Sequence, residues 1–220
     1  MLERFHVPSD IAVHVDVDDM HATVTDIFLK MGMPADAAAK AAEVLVYADI
    51  RGIETHGVSN MLRRYVEDFG AGGINPTPNP KIIREMPAAA TLDSDGGHGL
   101  VIGPLAMNMA IERAKIYGIG TITANNGRHF GAAAYHAAMA IDHGMISVSM
   151  TTGGMQVLPV DGSKPMFGLN PISVAVPTNS EAPFIFDASM SSVAGNKIAL
   201  AKRLGVDVAA GWISDADGVP

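Results

Sequence analysis

The stretch Gly72-Gly73-Ile74-Asn75-Pro76-Thr77-Pro78-Asn79-Pro80 limits what this chain can fold into more than any other. Two adjacent glycines followed by alternate prolines cannot continue a helix. Each proline lacks an N–H and pushes the residue before it out of helical geometry. The same residues cannot pair as an inner strand. The stretch therefore reads as a connector, and the hydrophobic period changes across it.

Before the connector the spacing is helical. A first helix is predicted over 16–31, with Met20, Val24, Ile27 and Phe28 on one face and Gly32 as its stop. Pro34 opens a second, whose inner face carries Ala41, Leu45 and Ala48. A third begins near Thr55, a suitable N-cap, and runs through Met61, Leu62, Tyr65 and Val66 to Gly70. After the connector, strands are predicted over 81–85, 89–92, 119–124, 145–151, 171–177 and 184–187. Helices are predicted over 100–117, 132–143 and 193–204. Strands alternating with helices imply an α/β fold, with a mixed or parallel sheet covered by helices. The expected organisation is a helical unit over 1–80 and an α/β unit over 81–220. Residues 212–214 read as a strand entering the turn Asp215-Ala216-Asp217-Gly218 with no return partner, which suggests a fragment.

Composition narrows the function. The net charge of −8 argues against a nucleic-acid partner, and Arg63-Arg64 is an isolated basic pair. With no cysteine, disulfides, thiolate catalysis and cysteine metal sites are excluded, and a reducing compartment fits. Met1 to His6 carry no apolar signal segment, and no apolar run approaches the ~18 residues of a membrane span. The reading is a cytoplasmic protein with no membrane or nucleic-acid partner.

Four clusters could carry chemistry. Asn125-Asn126-Gly127-Arg128-His129-Phe130-Gly131 joins a β-branched run to an alanine-rich helix. A histidine there, with an unperturbed pKa near ~6.5, either exchanges protons at neutral pH or caps the helix. Asp49-Ile50-Arg51-Gly52-Ile53-Glu54-Thr55-His56-Gly57 packs a cation, two carboxylates, a hydroxyl and an imidazole into one junction. Helix amides after Thr55 suit a substrate carboxylate, unless Arg51 simply pairs with Asp49 or Glu54. Asp93-Ser94-Asp95-Gly96-Gly97-His98-Gly99 fits a loop or helix cap better than a phosphate cradle, because G-x-G-x-x-G spacing is missing. Finally, Thr151-Thr152-Gly153-Gly154, Gly168-Leu169-Asn170-Pro171 and Asp187-Ala188-Ser189 place small or polar residues at strand ends. The spacing of His56, His98 and His129 does not call for a metal.

Taken together these motifs resemble the malate/L-lactate/L-sulfolactate dehydrogenase family, which also holds ureidoglycolate dehydrogenase. The likeness rests on Asp49-x-Arg51-Gly52-Ile53-x-Thr55-His56-Gly57, Asn126-x-x-His129-Phe130-Gly131, Asn170-Pro171 and Asp187-Ala188-Ser189, in that order. It implies a non-Rossmann nicotinamide enzyme, using NAD or NADP, that interconverts a 2-hydroxy acid and a 2-oxo acid as a homodimer. By the same resemblance His129 is the general acid/base, with a pKa suited to neutrality. Thr55 and His56 line the substrate end, Arg51 binds the substrate carboxylate or holds the junction, and Gly153, Asn170, Asp187, Ala188 and Ser189 meet the cofactor. Thr55 stands where many relatives carry serine. Asn60 replaces an arginine common four residues past the histidine, leaving Arg63 or Arg64 to compensate. The alternatives are reduction of a cyclic imine carboxylate, or a non-catalytic truncated fragment retaining only a dimerising surface.

Overall fold

The computed structural model describes Phe5 and residues 9–219; the reading of Met1 to His6 otherwise falls outside them. Three helices come first: α1 (Val17–Lys30), α2 (Ala35–Ile50) and α3 (Val58–Gly70). Asp16 starts α1 by accepting the amides of Asp18 and Asp19, which would otherwise lack partners. Val24 and Phe28 of α1, Ala41, Leu45 and Ala48 of α2, and Met61 and Tyr65 of α3 are fully or almost fully buried. Their core extends across the connector to Leu100 and Tyr135, so the helical unit packs directly on the C-terminal part of the chain.

The remainder is α/β as expected, but its strands divide between two sheets. In the first, β1 (Lys81–Met86) pairs antiparallel with β2 (Ala89–Asp93), and β2 pairs parallel with β3 (Thr121–Asn125). The crossover from β2 to β3 is α4 (Gly99–Tyr117). In the second, β4 (Ser147–Met150), β5 (Ile172–Val176) and β6 (Phe184–Ala188) are all antiparallel. The buried Ser147, Ser149, Ser173 and Ala175 are small, which lets α5 (Ala133–Ala138) lie close on this sheet. A last helix, α6 (Gly195–Leu204), completes the chain's regular structure.

Two further readings are corrected. The helix predicted over 132–143 stops at Ala138 and resumes as one 3-10 turn, Ile141–His143. Residues 212–214 form no strand: Trp212 stacks on Phe5 with ring centroids 6.2 Å apart, beside Leu200 and Ala201. Asp215 closes the turn after it by accepting the amides of Asp217 and Val219. Among the described residues no helix is long and apolar enough to cross a membrane.

Candidate active site

Because β2 and β3 are parallel, the loops that leave them emerge side by side, and β3's loop carries His129. A backbone ladder zips the two loops together. Ser94 N–H donates to the Asn125 carbonyl (3.0 Å), Gly96 N–H to Asn126 (3.0 Å), and Arg128 N–H to Gly97 (3.1 Å). The Arg128 guanidinium extends the lock to the connector through the Gly73 carbonyl at 2.5 Å. Gly99 lets this loop touch the start of α4. A Cβ there would lie 2.3 Å from the Arg128 carbonyl oxygen and 2.6 Å from that of His129.

The loop delivers His129 onto α3 and the turn before it. Tyr65, fully buried, places its hydroxyl 2.6 Å from His129 Nδ1, and the Gly131 amide points at the same nitrogen from 3.3 Å. On the other side the His56 ring lies nearly parallel to that of His129, at 12°, with centroids 5.5 Å apart. Thr55 Oγ1 is 2.8 Å from His56 Nδ1, and Asn60 holds the Thr55 carbonyl at 3.0 Å. Behind Tyr65 stands buried His98, edge-on with centroids 4.4 Å apart. Stacked rings present faces to one another rather than lone pairs, which is no chelating arrangement. Among the described residues no three His, Cys, Asp or Glu gather as a metal would need.

The second sheet gathers the remaining motif residues at one end. Met150 pairs with Ile172 and Ile172 with Ala188, so the loops following β4, preceding β5 and following β6 adjoin. Asn170 Oδ1 accepts the Gly153 amide at 3.4 Å, and Met190 N–H donates to the Leu169 carbonyl at 2.9 Å. Asp187 ties this end to the histidine loop: its Oδ2 accepts the Ala134 amide, at the start of α5, at 2.9 Å. Gly153, Asn170 and Asp187 stay exposed, while Ala188 and Ser189 are half-buried, the Ser189 hydroxyl donating to the Ser191 carbonyl.

Residues 15–220 match the family model described as malate/L-lactate dehydrogenase. The chain belongs to the malate/L-lactate dehydrogenase family. It is 40% identical over 218 residues to a malate dehydrogenase of Pyrococcus abyssi, covering 99% of this chain and 59% of that protein. To an L-sulfolactate dehydrogenase of Methanocaldococcus jannaschii it is 36% identical, covering 90% and 57%. The crystal structure of malate dehydrogenase from Entamoeba histolytica superposes with a TM-score of 0.91 at 33% identity, covering 94% of this chain and 58% of that one. The chain thus spans rather under two thirds of the length of these malate/L-lactate dehydrogenase family members.

Several family-motif residues sit differently from the sequence reading. Thr55 is no helix cap: Glu54–His56 is a 3-10 turn, and α3 starts at Val58. The anion at that helix end is the chain's own Asp49, whose Oδ2 accepts the Val58 amide at 2.8 Å. Arg51 forms no ion pair with Asp49 or Glu54 within the described residues; its guanidinium lies over the Tyr47 ring, 5.1 Å from the centroid. His98 caps α4, its Nδ1 accepting the Leu100 amide, which bears out the loop-or-cap reading. The sequence marks Tyr65 only as part of a buried face. An aromatic at helical spacing gives no sign of where its hydroxyl points.

The imidazoles are not near neutrality. Burial pulls His129 down to about 3, helped by the charges of His56, Arg64 and His98, and burial holds His56 at about 4. Burial likewise takes His98 to about 3 and His136 to about 4, each slightly offset by a backbone carbonyl. The unfolded chain binds protons at these rings near ~6.5 and the folded one does not, so stability rises with pH. The contribution is complete above ~6.5 and drains away as pH falls toward the folded values. Asp49 and Asp187, raised by burial, act oppositely nearer their own range, which makes pH 7 to 5 the decisive window. The urea midpoint is expected to be lower at pH 5 than at pH 7; a constant midpoint would contradict this.

Proposed function

We propose that this chain carries the reaction centre of a nicotinamide-dependent oxidoreductase for small 2-hydroxy acids and their 2-oxo counterparts. His129 is its acid/base. The observation carrying this reading is the His129 ring held between Tyr65 and His56, neutral and only partly exposed. Oxidation needs a neutral base, and burial supplies one. For Nε2 to take the hydroxyl proton, the His129 ring carries its own hydrogen on Nδ1 and donates it to the Tyr65 oxygen, which requires the Gly131 amide, now aimed at Nδ1 from 3.3 Å, to turn away from it. A hydroxyl both donates and accepts, so Tyr65 serves the resting ring and the protonated ring alike. An anionic substrate beside His129 raises its proton affinity, so the same ring protonates a 2-oxo acid in reverse.

The residues at the end of the second sheet suit NAD or NADP. Gly153 packs against the loop before β5, a Cβ there coming within 3.2 Å of the Leu169 amide nitrogen, and Asp187 keeps one oxygen free of Ala134. Gly153, Asn170, Asp187, Ala188 and Ser189 would hold the cofactor. When bound, the nicotinamide supplies the hydride acceptor or donor. A homodimer in the cytoplasm completes the proposal, supported by the family resemblance.

For the substrate carboxylate we assign Arg64. Asn60 is occupied by the Thr55 carbonyl, and Arg64 lies one turn on along the same face of α3. Its partner Asp68 is 3.8 Å away, too far for a hydrogen bond, and its charge reaches His129. Thr55 and His56 line the same end, while Arg51, stacked on Tyr47, holds the junction. Arg64→Ala is expected to raise KM about 10- to 100-fold, the value of a charged hydrogen bond, with little change in kcat; Arg63→Ala should not. The function is tested by the absorbance of reduced nicotinamide with malate, lactate, sulfolactate, ureidoglycolate and a cyclic imine carboxylate. Turnover of none refutes the proposal, and turnover of the imine alone replaces it with the reductase reading.

A further inference from the structure

We infer that His136 is a positioning residue for His129, fixing the backbone that carries the reacting ring; this rests on the acid/base reading above. His136 Nε2 lies 2.7 Å from the carbonyl oxygen of Phe130, the residue next to His129. A carbonyl only accepts, so Nε2 carries the hydrogen and Nδ1 keeps a lone pair. That lone pair is buried and has no hydrogen-bond partner. Leaving a buried acceptor unsatisfied works against stability, and a purely structural core would be served better by an apolar ring.

The surroundings are shaped to this imidazole. Gly103 of α4 has no side chain where the ring lies: a Cβ would come 2.4 Å from His136 Cε1 and 2.7 Å from Nδ1. The ring is 1% exposed, stacks on Phe130 with centroids 4.7 Å apart, and meets Tyr135 edge-on. Its own helix is pinned by Asp187 through Ala134. His136 thus couples α5, and through it the end of the second sheet, to the position of His129. A displacement of about 1 Å at a reacting group costs on the order of 10²-fold in rate, so one carbonyl clamp has leverage.

The test uses histidine-labelled protein in nitrogen NMR together with steady-state kinetics. In the wild type His136 is expected as the neutral Nε2–H tautomer. His136→Met keeps bulk without a donor, and Gly103→Ala pushes the ring away. Both are expected to move the His129 ring resonances and to lower kcat about 10- to 100-fold, with KM within about twofold. His136→Gln, which restores an N–H at similar reach, is expected to recover His129's resonances and kcat to within about threefold. Wild-type resonances in His136→Met, or a His136→Gln variant as impaired as His136→Met, would overturn the assignment. Where these variants fail to fold, the wild-type tautomer decides: Nε2–H supports the inference and Nδ1–H overturns it. The NMR signals judge His136 even with no turnover on any substrate, which separates its failure from that of the proposed reaction.

Discussion

Replacing His129 with glutamine is expected to lower kcat about 10³-fold, within the range a positioned proton donor supplies. The fold should survive, because the glutamine amide can still meet the Tyr65 hydroxyl. His129→Ala should lose activity equally and stability as well. Tyr65 is fully buried, and without His129 its hydroxyl has no partner at 2.6 Å. An unsatisfied buried hydroxyl costs about 1–3 kcal/mol. Steady-state kinetics and urea midpoints on both variants separate the two effects. Activity within tenfold of wild type in either would show that another group moves the proton.

The second large effect is expected at Gly99. Its missing side chain is where the histidine loop crosses α4, and every atom that a Cβ would strike is backbone: Arg128 O, His129 O and Phe130 Cα, at 2.3 to 2.6 Å. Side chains can turn aside, but this segment is laddered to the loop after β2 and cannot. Gly99→Ala is therefore expected to destabilise the protein by about 3 kcal/mol, at the upper end of overpacking effects, and to displace His129. Gly70→Ala, with nothing within 4 Å, is the control and should leave the midpoint nearly unchanged. Equal midpoints for the two variants would mean that the loop and α4 cross with room to spare.

The elements that the sequence foretold best are those whose signal is local. The helical spacing from Met20 to Phe28, the stop at Gly32 and the proline-rich connector depend on near neighbours, and they correspond to α1 and to the break before β1. The meeting of Thr55–His56 with His129 was also foreseeable, through motifs rather than periodicity. What escaped notice depends on contacts across space. Asp49 reaches nine residues ahead to take the amide on which Thr55 seemed placed to act. Tyr65 reaches 64 residues ahead to His129 from what reads as an ordinary core face. His129 itself was expected to titrate near neutrality, because its burial against His56 and His98 has no sequence signature. Strand pairing was similarly hidden: alternation marks β2 and β5 as strands but does not say that they belong to different sheets.

The most direct trial of the central claim is a crystal structure of the protein with reduced nicotinamide and oxamate, an unreactive 2-oxo acid mimic. An oxamate oxygen within about 3 Å of His129 Nε2, with Tyr65 still on Nδ1, is the predicted result. Oxamate seated elsewhere, with no ligand atom within reach of His129, would contradict it.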